Sequence, residues 1–208
     1  MITPVERAGI VARSNSLSEK KIAILEATLV LIAEQGFHGA PTSEIAEKAG
    51  VGMGSLYRYF EDKDELIREL FVYVTEQSRR AIVKGHDPEA PFREQYIHLC
   101  RNALRHMASH PDIFRFVEQY LNSPYGVGER REKLLGLGSV SVTDGPLEEL
   151  FRLARARQVT KDIPLPAVYA LTFGPLFFLI RDVHAGLIEV DDEMVEQTVE
   201  ACWDAVRR

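Results

Sequence analysis

Apolar residues recur three and four apart along most of the chain, and no segment shows the every-second-residue alternation of a half-buried strand. The first run holds Ile22, Leu25, Leu29 and Ile32. Ser16-Leu17-Ser18-Glu19 precedes it and reads as a capping box, with Ser16 at the cap and Glu19 three residues on. Gly36 stops that helix, and residues 1–16 ahead of it read as an irregular arm carrying Arg7 and Arg13. Pro41 suits the first position of a second helix, where a missing N–H costs nothing. Ile45, Ala46 and Ala49 form its inner face. Gly50-Val51-Gly52 makes a turn into another short helix from Met53 to Phe60, with Leu56 and Phe60 inward. Asp62-Lys63-Asp64-Glu65 is a further capping box and opens a long helix through Leu66, Leu70 and Val74 to about Lys84.

Gly85-His86-Asp87-Pro88 reads as the domain boundary. Helices are predicted beyond it over 91–109, 111–121, 146–157, 165–185 and 191–207. A glycine-rich connection covers 122–146, with a short helix around 129–135. The last helix starts with Asp191, Asp192 and Glu193 and ends with Arg207 and Arg208, so both ends complement the helix dipole. The pattern predicts an all-α chain in three parts: a flexible arm over 1–17, a compact helical unit over 18–84 and a helical bundle over 85–208.

Composition narrows the picture. A hydrophobic content of 46% supports a packed core. Cys100 and Cys202 have no C-x-x-C spacing, which argues against a disulfide scaffold or zinc ribbon and fits a reducing, cytoplasmic setting. Residues 1–17 lack the apolar block and small-residue cleavage site of a signal peptide, so none is expected. Residues 163–180 carry no charge and sit at the lower length limit for a bilayer span. Pro164, Pro166, Gly174 and Pro175 interrupt them, so a core or interface helix kinked at Pro175 is expected instead. The net charge of −6 is uneven: residues 1–84 hold 11 Lys and Arg against 12 Asp and Glu, and the remainder holds 14 against 19. The acidity therefore lies mainly in the second part. DNA binding needs a local basic stripe and no basic total.

Two short helices joined by a glycine-containing turn and braced by longer helices make a helix-turn-helix. That geometry sets the start of the second short helix, Met53, Gly54 and Ser55, near base edges in the major groove. Gly54 permits close backbone approach, Ser55 can bond a phosphate or a base, and Arg58 suits guanine or phosphate. Tyr57 and Tyr59 are not needed for the Leu56–Phe60 face and suit phosphate contacts through their hydroxyls. Lys20, Lys21 and Lys63 occupy first helical turns, where a cation opposes the dipole unless an anion lies nearby; Glu19, Asp64 and Glu65 offset this in part. The plainer alternative is a set of solvated charges and partly buried tyrosines.

The run Glu44-Ile45-Ala46-Glu47-Lys48-Ala49-Gly50-Val51-Gly52-Met53-Gly54-Ser55-Leu56-Tyr57-Arg58-Tyr59-Phe60 resembles the TetR family signature. So do Glu34-Gln35-Gly36-Phe37 and Lys63-Asp64-Glu65-Leu66, and the likeness spans roughly 18–78. The resemblance implies a homodimer with one helix-turn-helix on each half-site of a double-stranded DNA operator. It also implies a variable C-terminal domain that binds a small-molecule effector, and, in most members, repression relieved when the ligand moves the DNA heads apart. By position, Met53, Ser55 and Arg58 correspond to base readers, and Thr42, Tyr57, Tyr59 and Lys63 to phosphate contacts. Gly52 stands where the family usually has a capping Ser, and glycine is a tolerated cap. Ala40-Pro41 stands where it often has Thr, and Thr42 and Ser43 supply hydroxyls at that helix start.

The second part has no comparable signature. Its candidate effector residues are Phe92, Tyr96, Phe114, Phe116, Tyr120, Tyr169, Phe173 and Phe177, with plain core packing as the alternative for each. Glu118-Gln119 lies next to aromatics and suits a polar group of an effector. By resemblance the last two helices form the dimer interface, with Leu171, Leu179, Leu187, Val195, Val199 and Trp203 contributing. His106 and His110, four apart and near Cys100, have a spacing that can hold a metal, yet no further ligand is evident, and neither metal nor cofactor is expected. The chain has no H-E-x-x-H, G-x-S-x-G, P-loop or G-x-G-x-x-G run, so no enzyme is expected. The remaining alternative is a helical small-molecule-binding or interaction protein that has lost DNA binding. No membrane partner is expected.

Overall fold

Residues 4–127 and 146–208 are described by the structure, a computed structural model, with side chains over 19–127 and 149–208. These residues form α1 (Pro4–Gly39), α2 (Thr42–Lys48), α3 (Met53–Tyr59), α4 (Lys63–Ile82), α5 (Phe92–Ser109), α6 (Pro111–Leu121), α7 (Pro146–Ala156), α8 (Leu165–His184) and α9 (Asp192–Val206). Among them the only β feature is an isolated bridge between Thr160 and Arg207. The all-α expectation holds. The short helix expected around 129–135 lies outside the described residues.

The N-terminal end departs from expectation. Helical backbone begins at Pro4, so 4–16 are not an irregular arm and Ser16 lies inside the helix and not at its start. Proline is well suited to a first helical position, and the helix runs on through Gly9, Ser14, Asn15 and Ser16 despite their weak helix propensity. At the other end Gly36 does break the helix, with φ of +75°, before a last short turn. Gln119 of α6 donates from Nε2 to the Ile32 carbonyl at 3.1 Å, close to this break.

Two apolar cores divide the molecule, and they do not divide it at residue 85. The first takes Ile24, Leu25 and Ile32 from α1, Ile45 from α2, Leu56 from α3 and Leu66, Leu70, Phe71 and Val74 from α4. Ile22, expected to face inward, is exposed. The same core contains Ile113, Phe116, Val117 and Tyr120 of α6. Tyr120 stacks on Phe71 with ring centroids 3.9 Å apart and planes 6° apart. One face of α6 thus completes the helix-turn-helix unit, although 26 residues separate Pro111 from Gly85. The second core joins α5, α7, α8 and α9 around Tyr96, Leu99, Phe151, Leu176, Val199 and Trp203.

On the surface, α5 and α9 are zipped antiparallel by Arg93–Glu200 at 2.5 Å, Arg101–Glu196 at 2.5 Å and Arg105–Asp192 at 2.6 Å. Each is solvent-accessible and contributes about 1 kcal/mol or less. The α4–α5 connection turns at Gly85, φ +74°. Asn102 Nδ2 donating to the Ile82 carbonyl at 2.9 Å and Gln95 Nε2 donating to the Ala90 carbonyl at 2.7 Å hold it.

His106 links α5 to α4 through a 3.1 Å contact between Nε2 and Ser78 Oγ, and its ring lies 4.3 Å from that of His110. His110 Nδ1 in turn bonds the His106 carbonyl at 2.7 Å. The two rings are committed to local bonds, and no group of three or more possible ligands placed to hold a metal ion occurs among the described residues. Burial, aided by His110, holds the His106 pKa below its ordinary value of 6.5.

Two outcomes follow from this packing. Phe116→Ala should cost about 3–5 kcal/mol in urea unfolding and accelerate amide exchange in α1 and α4, because its side chain is fully buried in the first core; a loss confined to the second core would contradict the placement of α6. The fold favours neutral His106, so the unfolded chain takes up this proton first. Stability should fall as pH drops below 6.5 toward the lower folded value. His106→Gln should flatten that part of the pH profile of unfolding.

Candidate nucleic-acid interface

The turn between α2 and α3 is set by backbone bonds. Ala49 N donates to the Ile45 carbonyl at 2.9 Å, and Val51 N to the Ala46 carbonyl at 2.9 Å. Gly50 between them takes φ +65°, a left-handed conformation that disfavours a side chain. Gly52 then caps α3 in an extended conformation without any side-chain bond, so the glycine at this position leaves the first N–H groups of α3 uncapped from within. Pro41 likewise caps α2 without a side-chain bond.

Leu56 and Phe60, both buried, pin α3 to the first core. The opposite face points outward: Met53 is 37% and Tyr57 49% exposed, Gly54 and Arg58 are exposed, and Ser55 is half-buried. On α2, Ser43 is exposed and Thr42 half-buried. Thr42 Oγ1 lies 3.4 Å from Tyr57 Oη, joining the start of α2 to the middle of α3. The structure therefore brings Thr42, Ser43, Met53, Gly54, Ser55, Tyr57 and Arg58 onto one connected helix-turn-helix unit.

Tyr59 and Lys63 behave differently. Tyr59 packs against the first core, and its hydroxyl is buried without a hydrogen-bond partner among the described residues. Three residues on from Leu56, it falls on the inner edge of α3, so it does not offer its hydroxyl to a phosphate. Its ring instead supports the Arg58 guanidinium, 5.8 Å away. The Lys63 ammonium donates to the Phe37 carbonyl at 2.5 Å, and burial lowers its pKa despite the opposing effect of Asp64. Lys21 pairs with Glu69 at 3.0 Å. Only Lys63 opens a helix here, Lys21 lying inside α1, and both cations find their acceptors within the chain itself. Asp62 caps α4 by accepting from Glu65 N at 2.7 Å, while the Glu65 carboxylate accepts from Glu61 N.

The expected effector residues split between the two cores. Phe92, Tyr96, Tyr169 and Phe173 belong to the second. There Tyr96 Oη donates to Thr172 Oγ1 at 3.1 Å, and its ring lies 5.2 Å from Trp203 and 6.0 Å from Phe151. Tyr169 packs on Phe151 and stacks on Phe173. Arg157 lies 5.4 Å over the Phe92 ring. Tyr120 and Phe116, by contrast, are in the first core, because the apolar face of α6 turns toward α1 and α4. They are removed from the effector set. Phe114 is buried against Phe177 at 5.4 Å and His184 at 5.2 Å, and Phe177 rests on the first core. Glu118 is ion-paired with Arg181 of α8 and Gln119 is bonded to α1, so neither is held ready for a polar effector.

The expected dimer residues also need correction. Val195, Val199 and Trp203 are buried within their own chain, since α9 spends its apolar stripe on the second core, and Leu179 packs there as well. Leu171 and Leu187 are exposed, at 39% and 72%. Phe178, 63% exposed, went unnoticed in the sequence. It lies with Leu171, Gly174 and Pro175 at spacings of three and four on the outer side of α8, whose inner stripe is Val168, Thr172, Leu176 and Ile180. The signal was available: two helical stripes in one uncharged segment. The helix continues through Pro175, which supplies no N–H to the Leu171 carbonyl. By length and composition alone, Leu165–His184 and Glu19–Gly39 are each long and apolar enough to cross a membrane.

Comparison with known proteins bears on both parts of the chain. Residues 24–70 match the family model of bacterial regulatory proteins of the tetR family, and residues 91–207 match that of the tetracyclin repressor-like C-terminal domain. An uncharacterised HTH-type transcriptional regulator of Haemophilus influenzae is 31% identical over 101 residues, covering 49% of this chain and 54% of that protein. The HTH-type transcriptional repressor KstR of Rhodococcus jostii is 41% identical over 54 residues, 26% of each. The matched part thus spans about half of the first relative's length and a quarter of the second's. A crystal structure of a TetR family transcription regulator from Marinobacter aquaeolei superposes with a TM-score of 0.80 at 27% identity, covering 94% of this chain and 98% of that one.

Proposed function

The chain belongs to the TetR family of bacterial regulatory proteins, and from that premise we propose that it is a homodimeric, sequence-specific DNA-binding repressor released from its operator by a small molecule. The observation that carries this reading is the orientation of α3: Leu56 and Phe60 fix it to the core, while Met53, Gly54, Tyr57 and Arg58 face outward. Met53, Ser55 and Arg58 read bases. Thr42, Ser43 and Tyr57 bond phosphates through their hydroxyls. Lys63 and Tyr59 support the reading helix from behind. The protein acts in the cytoplasm and catalyses no reaction.

The effector lodges among Phe92, Tyr96, Tyr169 and Phe173 of the second core, with Phe114 and Phe177 at its border with the first. The aromatic rings outnumber the polar groups there, among them the bonded hydroxyls of Tyr96 and Thr172, which favours a largely apolar ligand. The second copy covers the outer face of α8 around Leu171, Pro175 and Phe178. A two-fold interface brings the same patch of each subunit together, and an uncharged face of this kind is self-complementary. Burial against that copy, and no lipid, accounts for the apolar character of α8.

Fluorescence anisotropy against DNA upstream of its own gene tests the core of this reading, with salt-dependent specific binding expected. Tyr57→Phe should weaken binding to all sequences alike. Arg58→Ala should relax specificity at one base pair, by about 1–3 kcal/mol; equal losses on operator and random DNA would reassign Arg58 to phosphate. Absence of any binding by the folded dimer would favour a helical interaction protein. Separately, Phe178→Glu should give monomers in sedimentation velocity and abolish specific binding. A Phe178→Glu protein that remains dimeric would remove α8 from the interface.

A further inference from the structure

The segment after α6 folds back tightly on that helix. Ser123 donates to the Tyr120 carbonyl from its N–H at 3.0 Å and its Oγ at 2.6 Å, and Val127 N donates to the Ser123 carbonyl at 3.0 Å. A Cβ at Gly126 would lie 2.4 Å from the Tyr120 oxygen and 2.7 Å from Leu121 Cα, so only glycine permits this approach. The result is that Tyr125 is laid against the helix-turn-helix unit. Its ring stacks on Tyr120 at 6.0 Å and packs on Phe37 at 5.7 Å. The Arg68 guanidinium lies 6.0 Å over it, and its hydroxyl donates to Asp64 Oδ1 at 2.6 Å.

Asp64 is the second residue of α4, a few residues after α3 ends at Tyr59. The start of α4 is therefore held by three successive residues: Asp62 through its cap, Lys63 on the Phe37 carbonyl and Asp64 on Tyr125. The first two bonds lie within the helix-turn-helix unit. The third reaches it from beyond α6, which is itself ion-paired to α8 through Glu118 and Arg181. A phenylalanine would fill the aromatic contacts of Tyr125 equally well, so packing does not explain the hydroxyl. Burial and the neighbouring Asp64 push its pKa up to about 12, and it remains a donor across the physiological range.

We propose that Tyr125 is a positioning residue for operator reading: its hydrogen bond to Asp64 fixes the start of α4, and with it α3, relative to α6 and the rest of the bundle. This rests on the regulator reading above. A strut of this kind sets the orientation of each reading helix and so the half-site separation that the dimer accepts, a property to which simple packing is indifferent.

The test uses the full chain and its Tyr125→Phe, Asp64→Ala, Asp64→Asn and Tyr125→Phe/Asp64→Ala variants. Anisotropy is read against the upstream DNA and against versions with one base pair inserted or removed at the centre, and amide exchange is followed over residues 63–67. Tyr125→Phe and Asp64→Ala should each reduce the preference for the natural spacing about 3- to 10-fold, the range of the net contribution of one ordinary, solvent-exposed hydrogen bond, and speed exchange at the start of α4. The double variant should be no worse than either single one, and Asp64→Asn, which keeps the acceptor oxygen, should retain the wild-type preference. Wild-type spacing preference in Tyr125→Phe, or additive losses in the double variant, would overturn the proposal. A wild-type protein that distinguishes no DNA sequence would sink the regulator reading instead, and unchanged exchange over residues 63–67 in Tyr125→Phe would then show on its own that no strut exists.

Discussion

Everything in this molecule depends on the burial of one face of α6 in the core of the helix-turn-helix unit. Three short or medium helices and the end of α1 enclose too little apolar surface to be robust alone, since small units bury a smaller share of their surface. Phe116 and Tyr120 complete that core, and the near-parallel stack of Tyr120 on Phe71 adds a directional contact to the area removed from water. The opposite side of α6 carries Glu118, paired with Arg181 on α8. A single helix of 11 residues therefore belongs to the DNA-reading unit by most of its packing and meets α8 of the bundle through the Glu118 ion pair and the Phe114 ring. Phe177 of α8 also rests on the first core, so α8 meets the helix-turn-helix unit both directly and through this helix.

The polar contacts at the helix ends serve the same arrangement. The break at Gly36 leaves carbonyls at the end of α1 without helical partners, and two of them are taken by side chains from elsewhere: Ile32 by Gln119 and Phe37 by Lys63. Neither bond is worth more than a few kcal/mol, yet each connects a different element to one point. The end of α1, the start of α4 and the end of α6 meet there, a few residues beyond α3 in the chain. Rigidity of the reading helix comes from this junction as much as from the apolar core beneath it.

Much of this was legible in the sequence. Helix limits after Gly36 were set by glycines, prolines and acidic starts, and Asp62 caps α4 as its spacing indicated; Asp191, expected inside the start of α9, is its cap. The inner face of α3 followed from Leu56 and Phe60 alone. What the sequence left hidden is which core each amphipathic helix joins, since periodicity reveals a buried face but not its partner. Tyr120 was read with the effector aromatics for that reason, and Val195, Val199 and Trp203 with the dimer face. Lys63 illustrates a second limit. A cation at a helix start signals a nearby acceptor, and the acceptor proved to be a carbonyl 26 residues earlier, a pairing only tertiary structure reveals. The helix ahead of Ser16 shows a third: a good cap marks where a helix can start, and the backbone is free to continue past it.

The electrostatics constrain how an acidic chain can read DNA. On α2 and α3 the cations are Lys48 and Arg58, and Glu44 and Glu47 balance them. Lys21 and Lys63, which would add positive potential, are engaged by Glu69 and by a backbone carbonyl. Among the described residues of α2 and α3 only Lys48 and Arg58 can neutralise phosphates, so these two helices add few charges to the salt dependence of binding. In the proposed reading, affinity then comes from uncharged donors, namely the hydroxyls of Thr42, Ser43, Ser55 and Tyr57 and the uncapped N–H groups at the start of α3, and from engaging two half-sites at once. Such contacts are short-ranged and directional, so they reward accurate placement of α3 far more than a diffuse basic surface does. In the proposed reading, the junction at the start of α4 and an α8 face covered by a second copy therefore weigh as heavily on recognition as the residues that meet the DNA.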